Sequence, residues 1–331
     1  MHSALNTLLE PIASDRPCGD DLEDTQLLAS FDAYRLFGQV APLSDETDWR
    51  EIRDHSLEAL KSSKDFRLLA HLACAALRAD GFPLFVQTLK TAAHWLETWP
   101  AEVFPRVDDD AILRRNALNG FADRMAIVDG VRRAHLIVHR QLGALSIRDI
   151  EIATNLIEPP EGESKAMDAT QLAALLAATP TEEMETLASH LNDAVGSLQQ
   201  LEEMMRSAGG VEAAPDFAAL TTVLARTLKL IKDQLASRTS SSEGEEAAGP
   251  DGAPVVAGGA VAVGAIRSRD DATRALDAVA EFFRRNEPSS PIPLLLERTK
   301  RLVGKDFLAA LEELAPDGLD QARRAAGVRD E

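Results

Sequence analysis

Three prolines fall within six residues at Pro288, Pro291 and Pro293, and an apolar, helix-favouring stretch lies on either side of them. The segment runs Glu281-Phe282-Phe283-Arg284-Arg285-Asn286-Glu287-Pro288-Ser289-Ser290-Pro291-Ile292-Pro293-Leu294-Leu295-Leu296-Glu297-Arg298. Proline cannot continue a helix from within, because it lacks the N–H donor and its ring strikes the preceding turn. A first helix must therefore stop at Pro288. A second starts with Ser290 as N-cap and Pro291 at the first helical position, where the missing donor costs nothing. Pro293 still lies inside that first turn. The result is two amphipathic helices joined by a rigid elbow, with no nucleophile, metal cage or phosphate cradle in it. Such a part packs and assembles.

The first helix of this pair has Ser268 as its expected cap, with Asp271 completing a capping box. Ala272, Leu276, Val279 and Phe283 form its apolar stripe, edged by Ala275 and Phe282. Arg284 and Arg285 fall in the last turn, where they favour the negative end of the helix dipole. Leu295, Leu296, Leu302 and Val303 are expected to bury the second helix, which Gly304 ends. Phe307 to Leu314 supplies a third, and Leu319 to Ala326 a short fourth. A unit of this size has a marginal core of its own, which favours oligomerisation. The residues expected at a self-association surface are Phe282, Phe283, Arg284, Arg285, Glu287, Pro288, Ser290, Pro291, Pro293, Leu294, Leu295, Leu296 and Arg298.

Charge is divided unevenly along the chain. The 331 residues carry a formal net charge of -19. Residues 265–331 hold 12 basic and 13 acidic residues, so nearly all of the excess lies before them. An acidic chain disfavours a phosphate backbone or an anionic membrane as partner. Neither nucleic-acid binding nor membrane insertion is expected. The nearly neutral C-terminus can meet copies of itself at little Coulomb cost, although the charge also serves solubility alone.

Aromatic residues make up only 5% of the chain, and Ala and Leu are abundant, so an all-α fold is expected. Residues 1–145 read as an N-terminal helical domain and 146–236 as a middle helical bundle. Residues 237–264, rich in Ser, Gly, Ala and Val, read as a flexible linker, with Val255–Val263 able to dock as a strand instead. Residues 265–331 form the C-terminal unit. Asp48 is a plausible N-cap for a helix carrying Trp49, Ile52, Leu57 and Leu60. Phe66 to Leu77 is apolar nearly all round and suits a central buried helix. One helix is expected through Leu113, Leu118, Phe121, Met125 and Val128. Beyond Pro159 and Pro160 come helices near 169–177, 181–207 and 216–236.

The chemistry-bearing patterns are weak. His135 and His139 have metal-ligand spacing but lack the glutamate that a zincin helix needs, and read as an ordinary helix pair. His71 and Cys74, one turn apart, read as core. The acidic runs Asp20-Asp21 and Asp108-Asp109-Asp110 suit loop and helix-start positions. Ser289 and Ser290 could be imagined as nucleophiles, but the capping role explains Ser290 without one. No phosphate loop or nucleophile elbow occurs. No cofactor or metal is expected and the chain reads as a non-enzyme. The two cysteines, Cys18 and Cys74, make no disulfide framework. With no leader-like N-terminus, a cytoplasmic location is expected.

Two stretches resemble the TssA (ImpA-like) family of bacterial type VI secretion components. The first contains Pro17-Cys18-Gly19-Asp20-Asp21-Leu22, Asp48-Trp49-Arg50-Glu51-Ile52-Arg53, Ser62-Ser63-Lys64-Asp65-Phe66-Arg67 and Arg114-Arg115-Asn116-Ala117-Leu118. It is similar to the ImpA N-terminal domain over about residues 5–140. The second runs from Ile266 through the proline elbow to Leu314-Ala315-Pro316-Asp317 and is similar to the short, baseplate-type branch. Glu97-Thr98-Trp99-Pro100-Ala101-Glu102 departs from the Tyr-Trp-Asp-like stretch expected there. Residues 165–236 match nothing diagnostic. The resemblance implies a structural protein that forms a ring through its C-terminal region. Its implied partners are copies of itself, the baseplate, and the tube (Hcp), spike (VgrG) and sheath components. The alternatives from other classes are a monomeric or dimeric helical adaptor, and a metal-dependent hydrolase built on the acidic runs with His135 or His139.

Overall fold

The computed structural model describes residues 2–44, 46–107, 111–158, 167–246, 269–286 and 291–302. Two compact units divide the chain, Met1–Gly249 and Pro250–Glu331. The described residues are mostly α-helical.

The first unit is organised around a helix that apolar side chains surround. α1 (His2–Thr7) and α2 (Gln26–Asp32) lead to α3 (Trp49–Ala59), α4 (Phe66–Ala79) and α5 (Phe82–Thr98). Asp48 caps α3, its Oδ1 accepting from the backbone N–H of Arg50 at 3.1 Å and of Glu51 at 3.0 Å. Asp65 caps α4 the same way, accepting from Arg67 N–H at 2.8 Å. Every residue of α4 from Leu68 to Leu77 is buried, as its all-round hydrophobicity requires. Gly81 stands at φ +95°, a conformation costly for residues with a Cβ, and Pro83 lies in the first turn of α5.

Three of the quoted motif stretches meet at one junction. The backbone of Cys18–Asp20 runs beside Ser62–Lys64: Lys64 N–H donates to Cys18 O at 2.8 Å and Asp20 N–H to Ser62 O at 3.0 Å. Phe104 then donates to Lys64 O at 3.0 Å and Phe66 to Phe104 O at 2.9 Å. The Lys64 side chain is 1% exposed; its ammonium donates to Leu8 O at 2.7 Å and stands 5.2 Å from the Trp95 ring and 4.9 Å from the Trp99 ring. Burial lowers its pKa to about 8. Arg114 closes the junction by donating to the carbonyls of Pro100, Val103 and Pro105, each at 2.7 Å. At the crossing, Gly19 has φ +74°, and a Cβ there would lie 2.1 Å from Ser62 O. Gly19→Ala is expected to destabilise this unit by about 2–3 kcal/mol, read as a lower midpoint in urea without a change in slope.

Beyond the junction come α6 (Ile112–Asn119), a short 3₁₀ turn, a π-helical turn at Arg124–Val128 and α7 (Asp129–Arg133). The single helix expected through Leu113 and Val128 is thus broken. Asp123 interrupts it by capping a new start, accepting from Met125 N–H at 3.0 Å and Ala126 N–H at 2.8 Å. The helix expected through His135 and His139 is also not formed. β1 (His135–His139) and β2 (Gly143–Ser146) make an antiparallel hairpin. Ile137 and Val138 are β-branched, Gly143 turns at φ +88°, and His139 Nδ1 accepts from the turn N–H groups of Gln141 and Leu142.

α8 (Ile147–Ala153) and α9 (Ala169–Ala178) both start at capping boxes, Ser146 with Asp149 and Asp168 with Gln171. α10 (Thr181–Gly209) packs on α5 and on α11 (Ala218–Glu246). These match the three helices expected there. The core runs without interruption from Leu5 to Ile231, so the helical regions expected on either side of residue 145 share it. Residues 237–246 of the expected linker are helical, because extending a packed helix costs far less than starting one. Arg238 ties that extension back to Thr181 Oγ1 at 3.1 Å and to Leu176 O. Residues 247–264 of that linker, the Ser268–Asp271 capping box, Asp108–Asp110 and the two helices expected after Val303 lie outside the described residues. No described helix is long and apolar enough to cross a membrane.

Candidate self-association surface

In the second unit, α12 (Arg269–Asn286) and α13 (Ile292–Leu302) pack against each other. Arg284 pairs with Glu297 at 3.0 Å, and Lys300 pairs with Asp277. As numbers fall along α12 they rise along α13, so the two helices pack antiparallel. Leu295 N–H donates to Pro291 O at 3.2 Å, which starts α13 one residue later than expected. Arg284 and Arg285 also reach Glu281, one turn back. These ion pairs are exposed and contribute little each; they set the register of the hairpin more than its stability.

The apolar side chains divide between two faces. Ala280 is 2% exposed and Pro293 is buried, while Leu276, Phe283 and Leu296 are partly covered. Val279, Phe282, Leu294 and Leu295 are 41%, 57%, 75% and 59% exposed. The stripe expected on α12 is therefore displaced: Ala280, not Val279, lies inside. Leu295 was expected to bury α13 and instead faces outward, because Pro293 takes the inner position. Ala280 escaped the sequence pattern because alanine is too small to mark a face.

Of the eleven large apolar residues exposed among the described residues, these four belong to one helical hairpin. The other seven, such as Val40, Val138 and Val211, are spread over the first unit, with only Ile112 and Leu113 sharing one helix. A concentrated apolar surface of this kind is a candidate for burial against another surface. Phe282 meets Phe283 edge-on, ring centroids 5.5 Å apart, so the aromatic part of the surface is already oriented. Arg284, Arg285 and Arg298 rim the hairpin. Glu287, Pro288 and Ser290 lie outside the described residues.

The residues weighed for chemistry are scattered. His71 Nδ1 donates to Arg67 O at 3.0 Å, and burial holds its pKa below the ordinary histidine value. Cys74 Sγ donates to Ala126 O at 3.4 Å. Among the described residues no group of three or more His, Cys, Asp or Glu side chains could hold a metal ion. Burial pushes the thiol of Cys18 up to about 11 and that of Cys74 up to about 12. Both are expected to resist a disulfide reagent at pH 8 in the folded protein and to react at once in denaturant; a fast-reacting native thiol would contradict this packing.

Residues 9–123 match the family described as ImpA, N-terminal, type VI secretion system. The chain is similar to "Type VI secretion system component TssA1" of Pseudomonas aeruginosa, at 26% identity over 98% of both chains. Alignment on that scale takes in the α12–α13 hairpin as well as the first unit. A solved structure, the N-terminal domain including the conserved ImpA_N region of the TssA component of the type VI secretion system from Burkholderia cenocepacia, has the same fold. It aligns with a TM-score of 0.55 and 23% identity, over 70% of this chain and 94% of that one.

Proposed function

We propose that this chain, TssA-like along its whole length, is a non-enzymatic assembly component of a type VI secretion system. It forms a ring through its C-terminal unit, associates with the baseplate, and coordinates assembly of the tail tube and sheath in the cytoplasm. The observation that carries the reading is the outward apolar face of the α12–α13 hairpin, held on a unit that is nearly neutral. Copies of that unit can meet without the Coulomb penalty that the acidic first unit would impose. Repeating the contact around a closed ring covers the face on every copy. The first units are then presented many times over, which raises their effective concentration at any repeated partner.

The test is genetic. Removing residues 265–331 in a host with a type VI apparatus is expected to stop release of the tube protein Hcp into the medium. Release at the level of the intact chain would overturn the assembly role.

A further inference from the structure

A cleft of about 690 Å³ opens on the first unit, far in sequence from the hairpin. α2, α4 and α6 line it, together with the Phe37 loop. Its floor is apolar and aromatic: Leu28, Phe31, Phe37 and Ala70. The Phe37 loop is fixed in place, since Gly38 N–H donates to Asp123 Oδ2 at 2.8 Å. His71 stiffens the floor further, its ring 5.0 Å from that of Phe31 and 4.8 Å from that of Phe37. This is a preformed apolar recess with convergent polar groups, the usual form of a binding site.

The polar groups around it are unequally committed. Arg67 is occupied by Glu23 and Asp65, and Asp123 by three backbone N–H groups. The carboxylates of Asp24 and Asp32 and the amides of Gln26 and Asn116 also line the cleft. All four residues are exposed at the rim, and none of their side chains has a hydrogen-bond or ion-pair partner among the described residues. The recess therefore offers two unpaired carboxylates, two free amides and an aromatic floor. Its one cation is already neutralised.

We infer that this cleft binds a short segment of a partner protein that carries an arginine or lysine beside an apolar side chain. The apolar group sits over Phe31 and Phe37, the cation meets Asp24 and Asp32, and the amides of Gln26 and Asn116 bond the segment's main chain. Charge complementarity selects this occupant. An acidic segment would face four carboxylates and no free cation, and a purely apolar one would leave the exposed carboxylates of Asp24 and Asp32 without a counter-charge. The site goes beyond self-association and does not depend on it.

The test is fluorescence anisotropy on the full chain. The probes are a fluorescein-labelled octapeptide of alternating arginine and leucine and its counterpart of alternating glutamate and leucine. Two variants separate charge from shape: Asp24→Asn with Asp32→Asn removes the free carboxylates, and Ala29→Trp fills the cleft from the exposed side of α2 without altering charge. The expected result is saturable binding of the arginine peptide, weakened about tenfold by each variant, and no binding of the glutamate peptide. Equal affinity in either variant, equal binding of the glutamate peptide, or no saturation at millimolar protein would each overturn the site. Light scattering on the variants should give the intact chain's mass, so that failure here is distinguishable from failure of the ring.

Discussion

Arg114→Ala is expected to lower the stability of the first unit by about 4 kcal/mol, a fall of roughly 10 °C in its melting temperature. The side chain is 2% exposed, and its three guanidinium nitrogens each donate to a carbonyl of the 100–105 turn at 2.7 Å. Truncation leaves Val103 O and Pro105 O as buried acceptors without a donor, strips the part-buried Pro100 O of its partner, and opens a cavity beside the crossing of Lys64 and Phe104. Unsatisfied buried acceptors carry their full desolvation cost, which is why the loss exceeds that of three ordinary hydrogen bonds. Arg114→Lys should recover less than half of it, because one ammonium cannot replace a rigid fork of donors. Thermal unfolding monitored by circular dichroism reads both values. A shift below about 2 °C for the alanine variant would remove the clamp from this account.

The double substitution Leu294→Asp with Leu295→Asp has the larger consequence for assembly. These side chains are 75% and 59% exposed, so aspartate at either position disturbs little within one chain. Burying a leucine at an interface contributes about 2 kcal/mol, and burying an unpaired carboxylate there is costlier still. With both positions changed on every copy, the association constant should fall by more than a thousandfold and any high-mass species should vanish. Helical content should stay the same, which separates loss of assembly from loss of folding. Persistence of the assembled species in this variant would place the contact elsewhere on the molecule.

How much of this could be read from residues alone depended on the distance over which each feature is set. α4 was legible because its burial is written in consecutive apolar residues, and the cap at Asp48 lies beside the turn it closes. The hairpin at His135 was misjudged because two histidines four apart suit a helix as readily as two ends of a strand. Its turn depends on Gly143 and His139 acting together. Lys64 and Arg114 showed only as parts of a resemblance. The partners that bury Lys64 are Leu8, Trp95 and Trp99, and nothing in the local pattern announces them. The two helices on either side of the proline stretch were plain, yet the face they present was displaced by one position, because Pro293 and Ala280 occupy the inside. The cleft over Phe31 and Phe37 left no signal in the sequence, since its walls come from three separated helices.

The most direct measurement is the absolute mass of the full-length chain by light scattering after size exclusion, at micromolar concentration. A large, defined multiple of the 35.8 kDa monomer is the result that self-association through α12 and α13 predicts. A mass of one chain at every concentration tested would contradict it.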